Sequence, residues 1–176
     1  MTDHPAPAGL RWLPSFLFRA EDWPAYVVKA WLLALLPSIG LALLVSLLVP
    51  GAATPQFTEP GQPINKAALA AALVVVGPFI ETLVMAAALL PLKALFGPAA
   101  AVFLSALGWA LAHSFAGVLV GAEAVPVWGL VVWWPFLILS IAFLTWRERG
   151  LAAAIGTATL VHGLQNGVAA GALLLA

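Results

Sequence analysis

The sequence predicts an all-α fold, a polytopic membrane helix bundle of about five transmembrane helices with a cytoplasmic N-terminus. Three observations carry this. Hydrophobic residues make up 64% of the chain and charged residues only 8%, against about 25% charged in a soluble domain. The apolar residues fall into five long runs of the ~20 residues that a spanning helix needs. The few basic residues concentrate at one set of helix ends, as cytoplasmic segments do.

The elements follow in order. Residues 1–29 hold Arg11, Arg19 and Lys29 among Trp12, Phe16, Phe18, Trp23 and Tyr26. Aromatic rings and basic groups both favour the headgroup zone, so this reads as an interfacial N-terminal segment. A single membrane domain then occupies 30–176. Its first run, Ala30–Val49, carries no charge and is longer than the ~7–15 residue core of a signal peptide. The loop 50–66, PGAATPQFTEPGQPINK, is rich in Pro and Gly and reads as exposed. The second run, Ala67–Leu92, has Glu81 as its only charge. The third, Pro98–Ala122, is polar chiefly at Ser105, His113 and Ser114. Ala124–Trp146 and Leu151–Ala176 are the fourth and fifth. There is no cysteine, hence no disulfide, thiolate metal site or cysteine nucleophile. Seven Lys and Arg balance seven Asp and Glu, which argues against a nucleic-acid partner.

With the N-terminus inside, the cytoplasmic segments hold Arg11, Arg19, Lys29, Lys93, Arg147 and Arg149, and the outer ones only Lys66. The topology is therefore N-in and C-out. An Ala-rich chain of this kind fits a bacterial cytoplasmic membrane. Depths follow at 1.5 Å per helical residue: Glu81 and His162 each lie ~18 Å from the inner boundary, and His113 ~24 Å. In a core ~30 Å thick, three ionisable groups from three helices share one middle-to-outer layer.

A carboxylate at that depth costs a few kcal/mol or more, so it faces the bundle interior and finds partners. Helix-bridging polar contacts would account for Asn166 or Gln165 alone, but have no need of a carboxylate and two imidazoles together. His162 and Asn166 are one turn apart on one helical face, as are Trp109 and His113. Gly163, Gly167 and Gly171 form a separate row that lets helices approach closely. Gly77-Pro78, one turn before Glu81, can kink that helix and open room beside the carboxylate. A carboxylate and an imidazole can together turn a water into a nucleophile. Imidazole and amide N–H groups can donate to a developing oxyanion. Such a hydrolase needs neither Ser nor Cys. Glu81, His113 and His162 are equally a possible zinc set, and two histidines on different helices could hold a haem.

These residues resemble the CAAX-processing and bacteriocin-processing protease family (CPBP, or Abi), over roughly residues 70–170. Its members carry Glu-Glu-x-x-x-Arg, then an aromatic four residues before a His, then His-x-x-x-Asn, on successive membrane helices. WALAH, ending in His113, is similar to the second motif, and HGLQN, His162 to Asn166, to the third. PFIETLVMAA matches the first in part: Glu81 fits the first Glu, while Thr82 and Ala86 stand where the second Glu and the Arg are expected. The resemblance implies that Glu81 and His113 activate the attacking water and that His162 and Asn166 stabilise the oxyanion. Trp109, Thr82 and Gln165 would line the cavity, Gln165 as a further donor or as helix glue. It implies an intramembrane endopeptidase acting on a peptide or membrane-anchored protein, with no cofactor expected and zinc as the alternative.

Two other readings compete. One is a non-catalytic membrane scaffold or regulatory subunit with a protease-like fold and a membrane protein partner. The other is a haem protein ligated through His113 and His162, which would leave Glu81 and Asn166 unexplained. Buried Glu and His also serve proton-coupled transport, though five helices leave little room for a transporter without oligomerisation.

Overall fold

The computed structural model describes residues 6–49, 65–115 and 127–175. Most of the exposed loop 50–66, the end of the third apolar run and the start of the fourth lie outside the described residues. Those described contain helices and no strand. Helix α1 is Trp23–Leu48, and α2 is Lys66–Ala71, which continues through a π-helical turn, Ala72–Val76, into α3, Gly77–Phe115. Helix α4 is Trp128–Trp146, and α5 is Leu151–Leu175.

Helix α1 begins at Trp23 rather than Ala30, because Pro24 in its first turn is already set to a helical φ. The residues before it pack onto the bundle. Two 3₁₀ turns, Ala8–Leu10 and Ser15–Phe18, bury Leu10, Leu13 and Leu17 in the same core as the long helices. Backbone carbonyls of this segment accept from the far end of α4: Leu17 O from Thr145 Oγ1 at 2.7 Å, and Ala20 O from Arg149 at 2.9 Å. Its outward side carries Arg11, Trp12, Pro14, Ser15 and Arg19, all exposed.

Helix α3 is two arms rather than one rod. Gly97 has φ +80°, a conformation that L side chains rarely adopt, and Pro98 starts the second arm as a helix-initiating residue. Val84, Ala88 and Leu92 of the first arm line one groove with Leu104, Gly108 and Ala112 of the second, so the arms lie side by side. Against them packs α4. Fourteen of its 19 residues are buried, as expected of a helix apolar all round. Ser140 in its middle donates to Ser105 Oγ at 3.1 Å and approaches Met85 Sδ at 3.5 Å, touching both arms of α3 at once.

Prolines inside the helices strip backbone carbonyls of their donors, and indoles and amides take those carbonyls up. Pro37 cannot donate to Leu33 O, and Trp134 Nε1 on α4 does so instead at 2.7 Å. Helix α5 is tied to α1 by Trp23 Nε1 donating to Thr157 Oγ1 at 2.8 Å. At one end of the bundle Pro7, Leu10 and Phe18 meet Lys93 and Pro98 at the α3 bend and Thr145 and Glu148 at the end of α4.

Among the described residues three helical stretches are long and apolar enough to cross a membrane: Trp23–Leu48, Lys66–Phe115 and Trp128–Arg149. Helix α5 is 25 residues long and carries His162, Gln165 and Asn166.

Candidate active site

Glu81 stands on the first arm of α3, one turn after Gly77. Its carboxylate reaches across to α5, where His162 Nε2 lies 3.8 Å from Glu81 Oε2. That separation exceeds a direct hydrogen bond, and it is a distance that a single bridging oxygen at hydrogen-bond length from each atom would span. The His162 side chain is 6% exposed and that of Glu81 29%, so the pair sits at the edge of the buried region. Glu81 Oε2 and His162 Nδ1 are buried without a hydrogen-bond partner in the protein. Buried groups of this kind are normally satisfied by protein or ordered water. Gly77 packs closely one turn before Glu81: an added Cβ would come 3.2 Å from Ala72 O and 3.9 Å from Glu81 Oε1.

His113 comes from the second arm of α3. Its Nδ1 lies 2.9 Å from the carbonyl of Trp109, one turn earlier. A carbonyl only accepts, so Nδ1 carries the proton and the neutral ring keeps Nε2 as a lone-pair acceptor. The Trp109 ring stacks on Phe136 of α4 at 4.6 Å and 14°. Phe136 also meets His113 at 5.6 Å and, edge-on at 76°, His162 at 5.2 Å. One α4 ring therefore touches both imidazoles. Trp109 has a second surface in the 430 Å³ groove between the α3 arms. Glu81, His113 and His162 do not line that groove among the described residues, so Trp109 joins the site through Phe136 and its own contacts with His113, ring to ring at 5.8 Å and by its carbonyl, rather than as a wall of a shared cavity.

Asn166 has a partner that the sequence does not announce. In the π turn, Gly77 N–H bonds to Ala72 O, five residues back. The next donor in that register would be residue 78, a proline without N–H. Leu73 O is thereby left unsatisfied, and Asn166 Nδ2 donates to it at 3.0 Å. One of the two amide N–H groups is thus committed to holding α5 against the π turn. Gly163 closes the same contact, since a Cβ there would lie 2.5 Å from Val74 O. Gly167 and Gly171 meet nothing within 4 Å, so the expected glycine row packs at one position of its three. Thr82 is buried, following Glu81 by ~100° of helical turn. Gln165 is half-buried, with Oε1 unpartnered among protein groups.

The structure therefore brings Glu81 and His162 together directly, joins His113 and Trp109 to them through Phe136, and gives Asn166 a backbone carbonyl. Among the described residues no group of three His, Cys, Asp or Glu is placed to hold a metal ion. Sequence reasoning missed Phe136, because α4 carries no ionisable group and nothing in its apolar run marks one of its rings from another. Comparison with protein-family models, with curated proteins and with solved structures finds no match to this chain.

Proposed function

We propose that this chain is an intramembrane endopeptidase of the CAAX- and bacteriocin-processing type, hydrolysing a peptide bond of a peptide or membrane-anchored protein. It would be a five-span protein of the bacterial cytoplasmic membrane, N-in and C-out. The observation that carries the catalytic reading is the buried Glu81–His162 pair. It joins two helices at 3.8 Å with unsatisfied polar atoms on both partners. The topology is supported by the end of the bundle where the N-terminal segment, the α3 bend and the end of α4 meet. Arg11, Arg19, Lys93, Arg147 and Arg149 belong to those elements or adjoin them.

The chemistry needs one water. Held against Glu81, with His113 Nε2 as a further acceptor, it loses a proton to the carboxylate as its oxygen bonds to the scissile carbonyl carbon. The carbonyl oxygen becomes an oxyanion, met by an N–H of His162 and the remaining amide N–H of Asn166. The C–N bond then breaks, and the proton held by Glu81 passes to the leaving amine. A non-catalytic scaffold is the second reading. It is favoured by the Asn166–Leu73 bond, which gives the third motif a packing role, and by Thr82 and Ala86 in the first.

One comparison tests both. New protein N-termini are mapped in membranes carrying the wild type, Glu81→Gln, His113→Ala or His162→Ala. Termini present only with the wild type support the endopeptidase. Identical termini in all four, with the host phenotype retained by Glu81→Gln and lost with Asn166→Ala, establish the scaffold.

A further inference from the structure

We infer that Phe136 is a positioning residue for both imidazoles of the site. It lies in α4, the helix that contributes no polar group to the reaction, and none of the expected site residues is on that helix. Its ring is nonetheless the one ring in contact with Trp109, His113 and His162, at 4.6, 5.6 and 5.2 Å. It is 3% exposed and belongs to the main core, so it cannot swing away without opening a cavity.

The two contacts act differently. On the His113 side the ring meets the imidazole at 5.6 Å and stacks on the Trp109 indole, itself 5.8 Å from that imidazole, so the two rings hold His113 where its Nδ1 proton meets the Trp109 carbonyl. On the His162 side the edge-on contact sets the plane of a ring whose Nδ1 has no hydrogen-bond partner of its own. A metal-free imidazole is usually oriented by a hydrogen bond at the nitrogen away from its working one. His113 has that bond and His162 lacks it, so aromatic packing takes its place at His162. Phe136 thus keeps Nε2 of His162 towards Glu81 and Nε2 of His113 free as an acceptor. The consequence for turnover rests on the endopeptidase reading, whereas the orienting role does not.

The test uses the full chain in lipid bilayers, with imidazole nitrogens labelled and assigned through His113→Gln and His162→Gln. Nitrogen shifts report the tautomer and are barely moved by the loss of a neighbouring ring current. In the wild type each imidazole is expected in one tautomer, Nδ1–H for His113 and Nε2–H for His162. Phe136→Leu and the volume-matched Phe136→Met are expected to show mixed tautomers at both rings. Where the wild type cleaves substrate, kcat falls tenfold or more with KM unchanged. Single tautomers retained at either ring in both folded variants, or mixed tautomers already in the wild type, overturn the inference. A wild type with no cleavage ends the endopeptidase reading and leaves the nitrogen measurement to decide the role of Phe136.

Discussion

The Oε2 atom of Glu81 and the Nε2 atom of His162 come within 3.8 Å of each other from opposite parts of the chain, with no direct hydrogen bond between them. Geometry of this kind separates chemistry from packing. Glu81→Gln keeps the shape and removes the base, so cleavage should fall by about 10²–10⁴-fold, the usual contribution of general base catalysis. Thermal stability should hold or rise, because an ionisable group with an unsatisfied oxygen leaves a buried site. Glu81→Asp retains the carboxylate one methylene short of its place and should lie between the two in rate. Cleavage that survives Glu81→Gln at wild-type rate would remove Glu81 from the mechanism.

The bond from Asn166 to Leu73 O is traced to Pro78, which cannot donate to that carbonyl. Asn166→Ala should therefore cost about 1 kcal/mol, the scale of a polar contact between membrane helices. In a Pro78→Ala background an N–H returns to the helix, and the same Asn166→Ala change should cost much less. A double-mutant cycle from reversible unfolding in mixed micelles reads this coupling. Equal costs in both backgrounds would break the link between the proline and the amide.

Much of this architecture was legible in the sequence, and the reasons it stopped being so are physical. Apolar run length located the helices because the bilayer core sets it. The start of α1 moved to Trp23 with Pro24 in its first turn, and the docking of Leu10, Leu13 and Leu17 in the core is something that a composition of rings and basic groups does not announce. Gly77-Pro78 signalled a disturbance in the helix but not its form, a π turn. The partner of Asn166 stayed hidden because it is a backbone carbonyl, and side-chain spacing carries no record of those. Glu81 and His162 were read as one layer from depth alone, and they prove to be neighbours. Phe136 left no trace, since α4 carries no ionisable residue that would point to a site on it.

Glycines at four-residue spacing look equivalent in sequence, and here they differ. A methyl group at Gly163 would press into Val74 O at 2.5 Å, and backbone on both sides leaves no easy retreat. Gly163→Ala should destabilise by about 1–3 kcal/mol, as overpacking does. Gly167→Ala meets open space and should be neutral or stabilising, because alanine is the better helix former by up to ~1 kcal/mol. Unfolding midpoints of the two variants, measured side by side, check the contrast. Equal losses would mean that α5 also uses its outer glycines against another helix.

Orientation in the membrane can be read directly because the chain has no cysteine of its own. Lys93 belongs to the α3 bend, which adjoins the N-terminal segment and the end of α4. Lys66 opens α2, 31 residues along the chain before Gly97 at that bend. If basic residues gather inside, a lone cysteine from Lys93→Cys should react with an impermeant maleimide only after cells are opened. One from Lys66→Cys should react in intact cells. The first arm of α3 then spans the membrane between them and carries Glu81 at mid-depth. Labelling of both positions from the same side would leave that arm unable to span. It would return Glu81 to an aqueous interface, where a charged carboxylate needs no partner and the pairing with His162 loses its cause. The reverse pattern, Lys93→Cys outside and Lys66→Cys inside, would keep the site at mid-depth and overturn only the N-in assignment.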